Sequence, residues 1–278
     1  MIRIGRPLNC LITALSVVTA GMLLRDIPSL GLLAMAAAGA GLVCGFGNAV
    51  NDCADRAIDS INRPDRLIPS GRLTPRQAYV AALLHVVAGL ALSLAVGILP
   101  LCIACVTALM LGTYALAVRR LPVLSNVWVA LLAAMTFPFA MAIVGEFGLE
   151  QSGLAWFGAI LAFLFHVGRE IIKDIEDMPG DAAGGVRSLP LVIGRDRARF
   201  AALTILTLHS LLAIAAYPLL NLSIWYLAAS SAYLATCAIV LRRLSKASDV
   251  AGFRTGQRLL KLLMPLGLVL LLIARFTV

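Results

Sequence analysis

The feature that most constrains this chain is a succession of apolar segments, each about as long as a bilayer is thick. A helix needs about 20 apolar residues to cross the hydrocarbon layer. Segments of that kind fall at 8–24, 29–50, 77–98, 100–118, 124–145, 152–172, 198–218, 222–241 and 258–276. In hydrocarbon, runs of this length satisfy their own backbone hydrogen bonds only as helices. The expected fold is all-α, a polytopic membrane protein of nine transmembrane helices. The third and fourth should meet in a tight turn at Leu99-Pro100. Composition agrees: 61% of residues are hydrophobic and 13% charged, against about 25% charged in soluble domains.

The basic residues set the orientation. With a cytoplasmic N-terminus, all of the 23 lysines and arginines except Arg25 and Arg275 fall in inside segments. Cytoplasmic loops are enriched in Lys and Arg, so the expectation is N-in and C-out, multi-pass in the cell membrane. The net charge of +9 is then topological and calls for no nucleic acid. The first apolar segment follows Arg3 and Arg6 without a convincing cleavage site, which suits a retained span. Cys102 and Cys105 form a C-x-x-C beside Pro100. Their apolar surroundings make them small core residues rather than a redox or metal pair.

Against this background two acidic stretches stand out, Asn51–Asp59 and Lys173–Asp181. They hold half of the fourteen acidic residues. Each follows an apolar segment that ends inside, so both should lie on the cytoplasmic face. Asn51, Asp55 and Asp59 are spaced i, i+4, i+8, one helix face with Asp52 beside it. Asp174, Asp177 and Asp181 are spaced i, i+3, i+7, again one face if the helix survives Pro179 and Gly180. Like charges so placed destabilise a helix. A solvated helix end would account for one such cluster; two with shared spacing and sidedness point to a site. Carboxylates with an Asn amide oxygen are hard ligands that suit Mg2+ shared with phosphate oxygens. No His/Cys group suggests zinc. His85, His166 and His209 are scattered along the chain; His85 and His209 read as hydrogen-bonded core residues, and His166, two turns before Asp174, as core with the cavity lining as its alternative.

Between the second and third segments runs Asn62–Arg72, stiffened by Pro64 and Pro69 and carrying Arg63, Arg66 and Arg72. Guanidinium groups bind phosphate oxygens through two parallel hydrogen bonds. The loop therefore reads as an anion site, with Arg66 and Arg72 its expected ligands; the competing explanation is the positive-inside rule alone. Gly71-Arg72 and Gly194-Arg195 each precede a basic helix start, a weak sign of parallel repeats over about 1–120 and 121–243, since four spans preserve orientation. The whole chain, 1–278, is expected to be one transmembrane domain.

At these residues the chain resembles the UbiA-type intramembrane prenyltransferases. Their N-x-x-x-D-x-x-x-D pattern matches Asn51, Asp55 and Asp59, and a second D-x-x-x-D matches Asp177 and Asp181. Asn62–Arg66, Ile68–Arg72, Arg169–Asp174, Gly180-Asp181, and Tyr114 to Arg120 with Asn126 look most like the branch that builds ether lipids. Leu67 stands where the resemblance implies a proline.

The resemblance implies nine helices around a central cavity open to the cytoplasm. It implies a polyprenyl diphosphate donor, a lipidic phosphate-bearing acceptor, and membrane lipid around both. Mg2+ is expected on Asn51, Asp52, Asp55, Asp59, Asp174, Asp177 and Asp181, with Asp55, Asp59, Asp177 and Asp181 catalytic. Arg66, Arg72 and Lys173 are expected to bind the diphosphate. Arg119, Arg120 or Arg169 would take the acceptor's phosphate, and Tyr114 and Asn126 complete the substrate-binding set. Branches that prenylate aromatic or chlorin acceptors share the aspartate spacing. A small cation transporter using the same carboxylates is the reading from a different class; its ions would be expected near the midplane, not at helix ends.

Overall fold

The computed structural model describes residues 2–277, and every regular element among them is helical. The helices are α1 (Pro7–Met22), α2 (Leu30–Ala54), α3 (Arg56–Asn62), α4 (Pro75–Val96), α5 (Ile98–Leu116) and α6 (Leu124–Ala134). They continue with α7 (Thr136–Val144), α8 (Leu149–Ala183), α9 (Leu189–Ile193), α10 (Arg195–Leu219), α11 (Ile224–Lys246) and α12 (Val250–Phe276). Eight segments are long and apolar enough to cross a membrane, with α6 and α7 counting as one 21-residue segment. The remaining expected span, α1, is apolar but only 16 residues long.

Local chemistry explains where the helices begin. Ser29, Thr74, Ser223 and Asp249 each cap a helix through a side-chain oxygen, accepting from Leu32, Gln77, Tyr226 and Gly252 backbone N–H. Gln77 completes a capping box at Thr74. Such a cap is worth about 1 kcal/mol. The turn between α4 and α5 falls at Gly97 rather than at Leu99-Pro100. Pro100 sits in the first turn of α5, where a helix has no use for its missing N–H.

Packing between spans relies on small residues, as expected where lipid removes the hydrophobic drive for helix association. α2 and α4 cross at Gly39 and Gly89. A Cβ on Gly89 would lie 3.0 Å from the Gly39 carbonyl oxygen, so the backbones approach too closely for a side chain. The main core gathers Phe137, Leu206, Tyr226, Leu244, Phe253 and Leu260 from α7, α10, α11 and α12. The buried Tyr226 hydroxyl donates to Ala213 O at 2.6 Å. Large apolar side chains such as Leu83, Leu109, Trp225 and Leu262 point outward, the arrangement of a lipid-facing surface. A second small core of Ile4, Ala49, Ile68 and Ala78 anchors the 63–74 loop.

Two places along the helices matter for function. The helix carrying the first acidic stretch is interrupted at Asp55, between α2 and α3. Its hydrogen bonds nonetheless run through, Asp55 N–H to Asn51 O and Asp59 N–H to Asp55 O, both 2.8 Å. In α8 the helix continues past Pro179 to Ala183. The amide of Asn62 spans the turn that holds Pro179: it donates to Asp177 O at 2.9 Å and accepts from Gly180 N–H at 2.9 Å.

Candidate active site

The end of α2, the short α3 and the last turns of α8 converge on one polar cavity of about 50 Å³. Asn51, Asp55, Asp59, Asp174, Asp177 and Asp181 all line it. The two acidic stretches, remote in sequence, therefore face each other. The interruption at Asp55 does not turn any of its three residues away, because the helical hydrogen bonds persist across it. In α8 the i, i+3, i+7 spacing keeps the second set on one face, as an unbroken helix requires.

Cations interleave with these carboxylates. Arg66 forms ion pairs with Asp59 and, at 3.3 Å, with Asp52. Arg6 pairs with Asp52, and Arg119 with Asp55. Arg63 reaches Asp177 at 2.8 Å and Glu176 at 3.3 Å, and Lys173 lies 3.6 Å from Asp177. Arg254 of α12 holds the outer side of Glu176 at 3.1 Å. Asn126 donates to Asp174 at 2.7 Å. Burial pushes the Asp59 carboxyl up, an effect that the Arg66 charge opposes in part.

The expected residues divide by position. Arg66, Lys173, Tyr114 and Arg119 line the acidic cavity with the aspartates. Asn126 is buried, lines neither cavity and reaches Asp174 by its amide. Asp52 points to Arg6 and Arg66 and does not line the cavity. Arg72 is exposed: its guanidinium bonds Ser70 Oγ and the Asp65 carbonyl and braces the loop from outside. Arg120 is exposed at the end of a 3-10 turn. Arg169 lines the adjoining cavity instead. Two further cations reach the carboxylates: Arg63, which belongs to the expected anion loop but not to its expected ligands, and Arg6, which belongs to neither. A local signal existed for Arg63: it stands three residues before Arg66 in the same proline-stiffened loop, the spacing of one turn, and the Arg66 N–H does bond to Arg63 O at 3.1 Å. None existed for Arg6, whose partner lies in another helix.

The adjoining cavity, about 280 Å³, shares Arg6, Asn51, Tyr114 and Lys173 with the first. Ile12, Leu111, Val129, Leu132, Phe139 and Met264 give it apolar walls. A charged recess thus opens onto an apolar chamber, a shape for an amphipathic ligand with an anionic head.

The donor set of this cavity is one that magnesium accepts. Among the described residues no three His, Cys, Asp or Glu side chains form a ready-made metal cage. Magnesium does not need one, since it is usually held by one or two carboxylates together with substrate phosphates. Asn51 Oδ1 is buried without a hydrogen-bond partner while its Nδ2 donates to Asp55 at 2.6 Å. That orphaned acceptor and an all-oxygen donor set fit a magnesium ion that arrives with a phosphate-bearing ligand.

Comparison with known proteins agrees with this geometry. The model of the UbiA prenyltransferase family matches residues 13–263. The digeranylgeranylglyceryl phosphate synthase of Methanothrix thermoacetophila is 36% identical over 276 residues, 98% of each chain. That of Halobacterium salinarum is 35% identical over 271 residues, covering 94% of this chain and 91% of the relative. A solved structure described as a digeranylgeranylglyceryl phosphate synthase in membranes superposes with a TM-score of 0.74 at 26% identity, covering 99% of this chain and 97% of that one. The transporter reading gives way to an enzyme whose reaction is prenyl transfer, and the chain belongs to the UbiA prenyltransferase family.

Proposed function

We propose that the chain transfers a geranylgeranyl group from geranylgeranyl diphosphate to the hydroxyl of geranylgeranylglyceryl phosphate, in membrane ether-lipid synthesis, and that the reaction requires Mg2+. One observation carries the reading: six oxygen-bearing side chains from two distant stretches face a single cation-lined cavity that opens onto an apolar chamber. The synthase name shared by the relatives supports the choice of acceptor. A UbiA homologue from Archaeoglobus fulgidus, 18% identical with a TM-score of 0.70 and covering 97% of this chain and 98% of that one, is described as bound to GPP and Mg2+. At that identity it supports the fold; the donor and metal in this chain rest on the cavity's own residues.

Asn51, Asp55, Asp59, Asp174, Asp177 and Asp181 would hold the metal. The chemistry that magnesium supplies when bound is Lewis-acid stabilisation of charge on the leaving diphosphate. Arg66 and Lys173 line the same cavity and neutralise the diphosphate oxygens as the C–O bond lengthens. The apolar chamber receives the isoprenoid and keeps water from the allylic cation. Tyr114, at the junction of the two cavities, borders the reacting carbon. The acceptor hydroxyl then attacks, and its proton passes to the released diphosphate.

The same reading places the carboxylates at the cytoplasmic face of nine spans, N-in and C-out, with 1–120 and 121–243 as parallel halves. The charge asymmetry between loops supports the sidedness, and the recurrence of Gly-Arg at 71–72 and 194–195 supports the halves.

The test is transfer of label from radiolabelled geranylgeranyl diphosphate by purified protein, with several acceptors compared. Label should enter the phosphate-bearing glyceryl lipid, stop on chelation with EDTA and resume with added magnesium. Full activity after exhaustive chelation would remove the metal; preference for an aromatic acceptor would move the chain to another branch.

A further inference from the structure

One cation in the larger cavity has no place in the chemistry above. Lys261, on α12, lines that chamber and pairs with no carboxylate among the described residues. Its ammonium donates to Asn9 Oδ1 of α1 at 2.5 Å. Every other cation lining the chamber has an acidic partner: Arg6 has Asp52, Arg169 has Glu170, and Lys173 has Glu170 and Asp177. An ionisable side chain within a membrane helix that lacks a counter-ion marks a binding site for one.

The surroundings say where that counter-ion sits. Gln257, one turn before Lys261, donates to the Arg169 carbonyl at 2.6 Å, which locks this face of α12 against Arg169 of α8. Arg169 also lines the chamber, and its Nε is buried without a partner. Lys261 lies two turns along α12 from Arg254, and Arg169 two turns along α8 from Glu176. Arg254 and Glu176 bond each other beside the aspartates. The Lys261–Arg169 layer is therefore on the order of 10 Å from the acidic layer, by helix rise. On the reading above, diphosphate, prenyl carbon and attacking hydroxyl would occupy the interval, and the acceptor's phosphate is only a few bonds past its hydroxyl.

We propose that Lys261, oriented by Asn9 and assisted by the free Nε–H of Arg169, binds the phosphate of the acceptor and so selects a glyceryl phosphate over a neutral alcohol. The proposal rests on the reading of the acceptor given above. Arg119 and Arg120 are then not the phosphate ligands: Arg119 pairs with Asp55 in the acidic recess and Arg120 is exposed.

The experiment measures steady-state transfer to geranylgeranylglyceryl phosphate and to its dephosphorylated alcohol, with donor saturating, for wild type, Lys261→Met and Lys261→Arg. Lys261→Met should lower kcat/KM for the phosphate acceptor by about ten- to a hundred-fold, chiefly through acceptor KM, as for loss of a charged hydrogen bond. The donor KM and the slow reaction of the alcohol should be unchanged, and Lys261→Arg should recover much of the loss. Unchanged acceptor KM in Lys261→Met overturns the assignment. Equal losses on both acceptors also overturn it, pointing to structure or to a bulk-lipid phosphate at this position. Failure of the wild type to use the phosphate acceptor at all removes the functional reading itself, and this inference with it; the wild-type arm thus separates the two failures.

Discussion

Asp177 shows what a single residue carries in this protein. It receives Arg63 and Lys173 through its carboxylate and Asn62 through its backbone oxygen. Asp177→Ala, like Asp55→Ala, should abolish transfer while the purified protein stays folded in detergent; near-normal turnover of either at saturating magnesium would defeat the metal assignment. The arginines of the loop offer a sharper discrimination. Arg66 sits among Asp52 and Asp59 inside the cavity, whereas Arg72 braces the loop from solvent. Arg66→Ala should cost about 1.5–3 kcal/mol in transition-state binding, roughly ten- to a hundred-fold in kcat/KM for the donor. Arg66→Lys keeps the charge but loses the planar two-point contact and should recover only part. Arg72→Ala should change the same constant by less than Arg66→Ala. Steady-state kinetics with donor varied decides; wild-type values for Arg66→Ala would reduce these arginines to setting topology.

Among the elements, α8 and α3 depend on each other. Pro179 cannot donate a backbone hydrogen bond, and the turn around it is completed by the Asn62 amide from the end of α3. Gly180 has to be glycine for this: a Cβ there would fall 2.4 Å from Asn62 Nδ2. Asn62→Ala and Gly180→Ala should each lower the thermal midpoint and the turnover, since an orphaned buried backbone group costs about 1–3 kcal/mol. They break the same contact, so the double variant should be little worse than the worse single one. Additive losses in thermal denaturation would show that the two residues act separately.

For the whole molecule, the count of spans turns on α1. At 16 residues it is the shortest of the expected spans, yet its Val17, Ala20 and Gly21 are buried in the bundle. Partners on α2, α7 and α12 thus supply part of the apolar surroundings that lipid would supply to a longer helix. Nine crossings put the termini on opposite faces; eight put them on one. Epitope tags at each end of the chain, probed by protease in sealed vesicles of known orientation, should be cut from opposite sides. Cleavage of both from the same side would remove α1 from the set of spans.

The helical class, the segment positions and the spacing of both acidic stretches are properties of local sequence, because helix periodicity and hydropathy act over a few turns. They sufficed for the family. Even the continuity of α8 through Asp181 was half legible, its doubt confined to Pro179 and Gly180. What local pattern could not reach was pairing across the bundle. Arg6 meets Asp52 from 46 positions away, Arg63 meets Asp177 from 114, and Lys261 meets Asn9 from 252. Which arginine of one loop turned inward, which aspartate faced the cavity and which lysine lacked a counter-ion were decided by helix packing. A charge in a low-dielectric interior is governed by whatever lies within a few ångströms, and in a helical bundle those neighbours come from other helices.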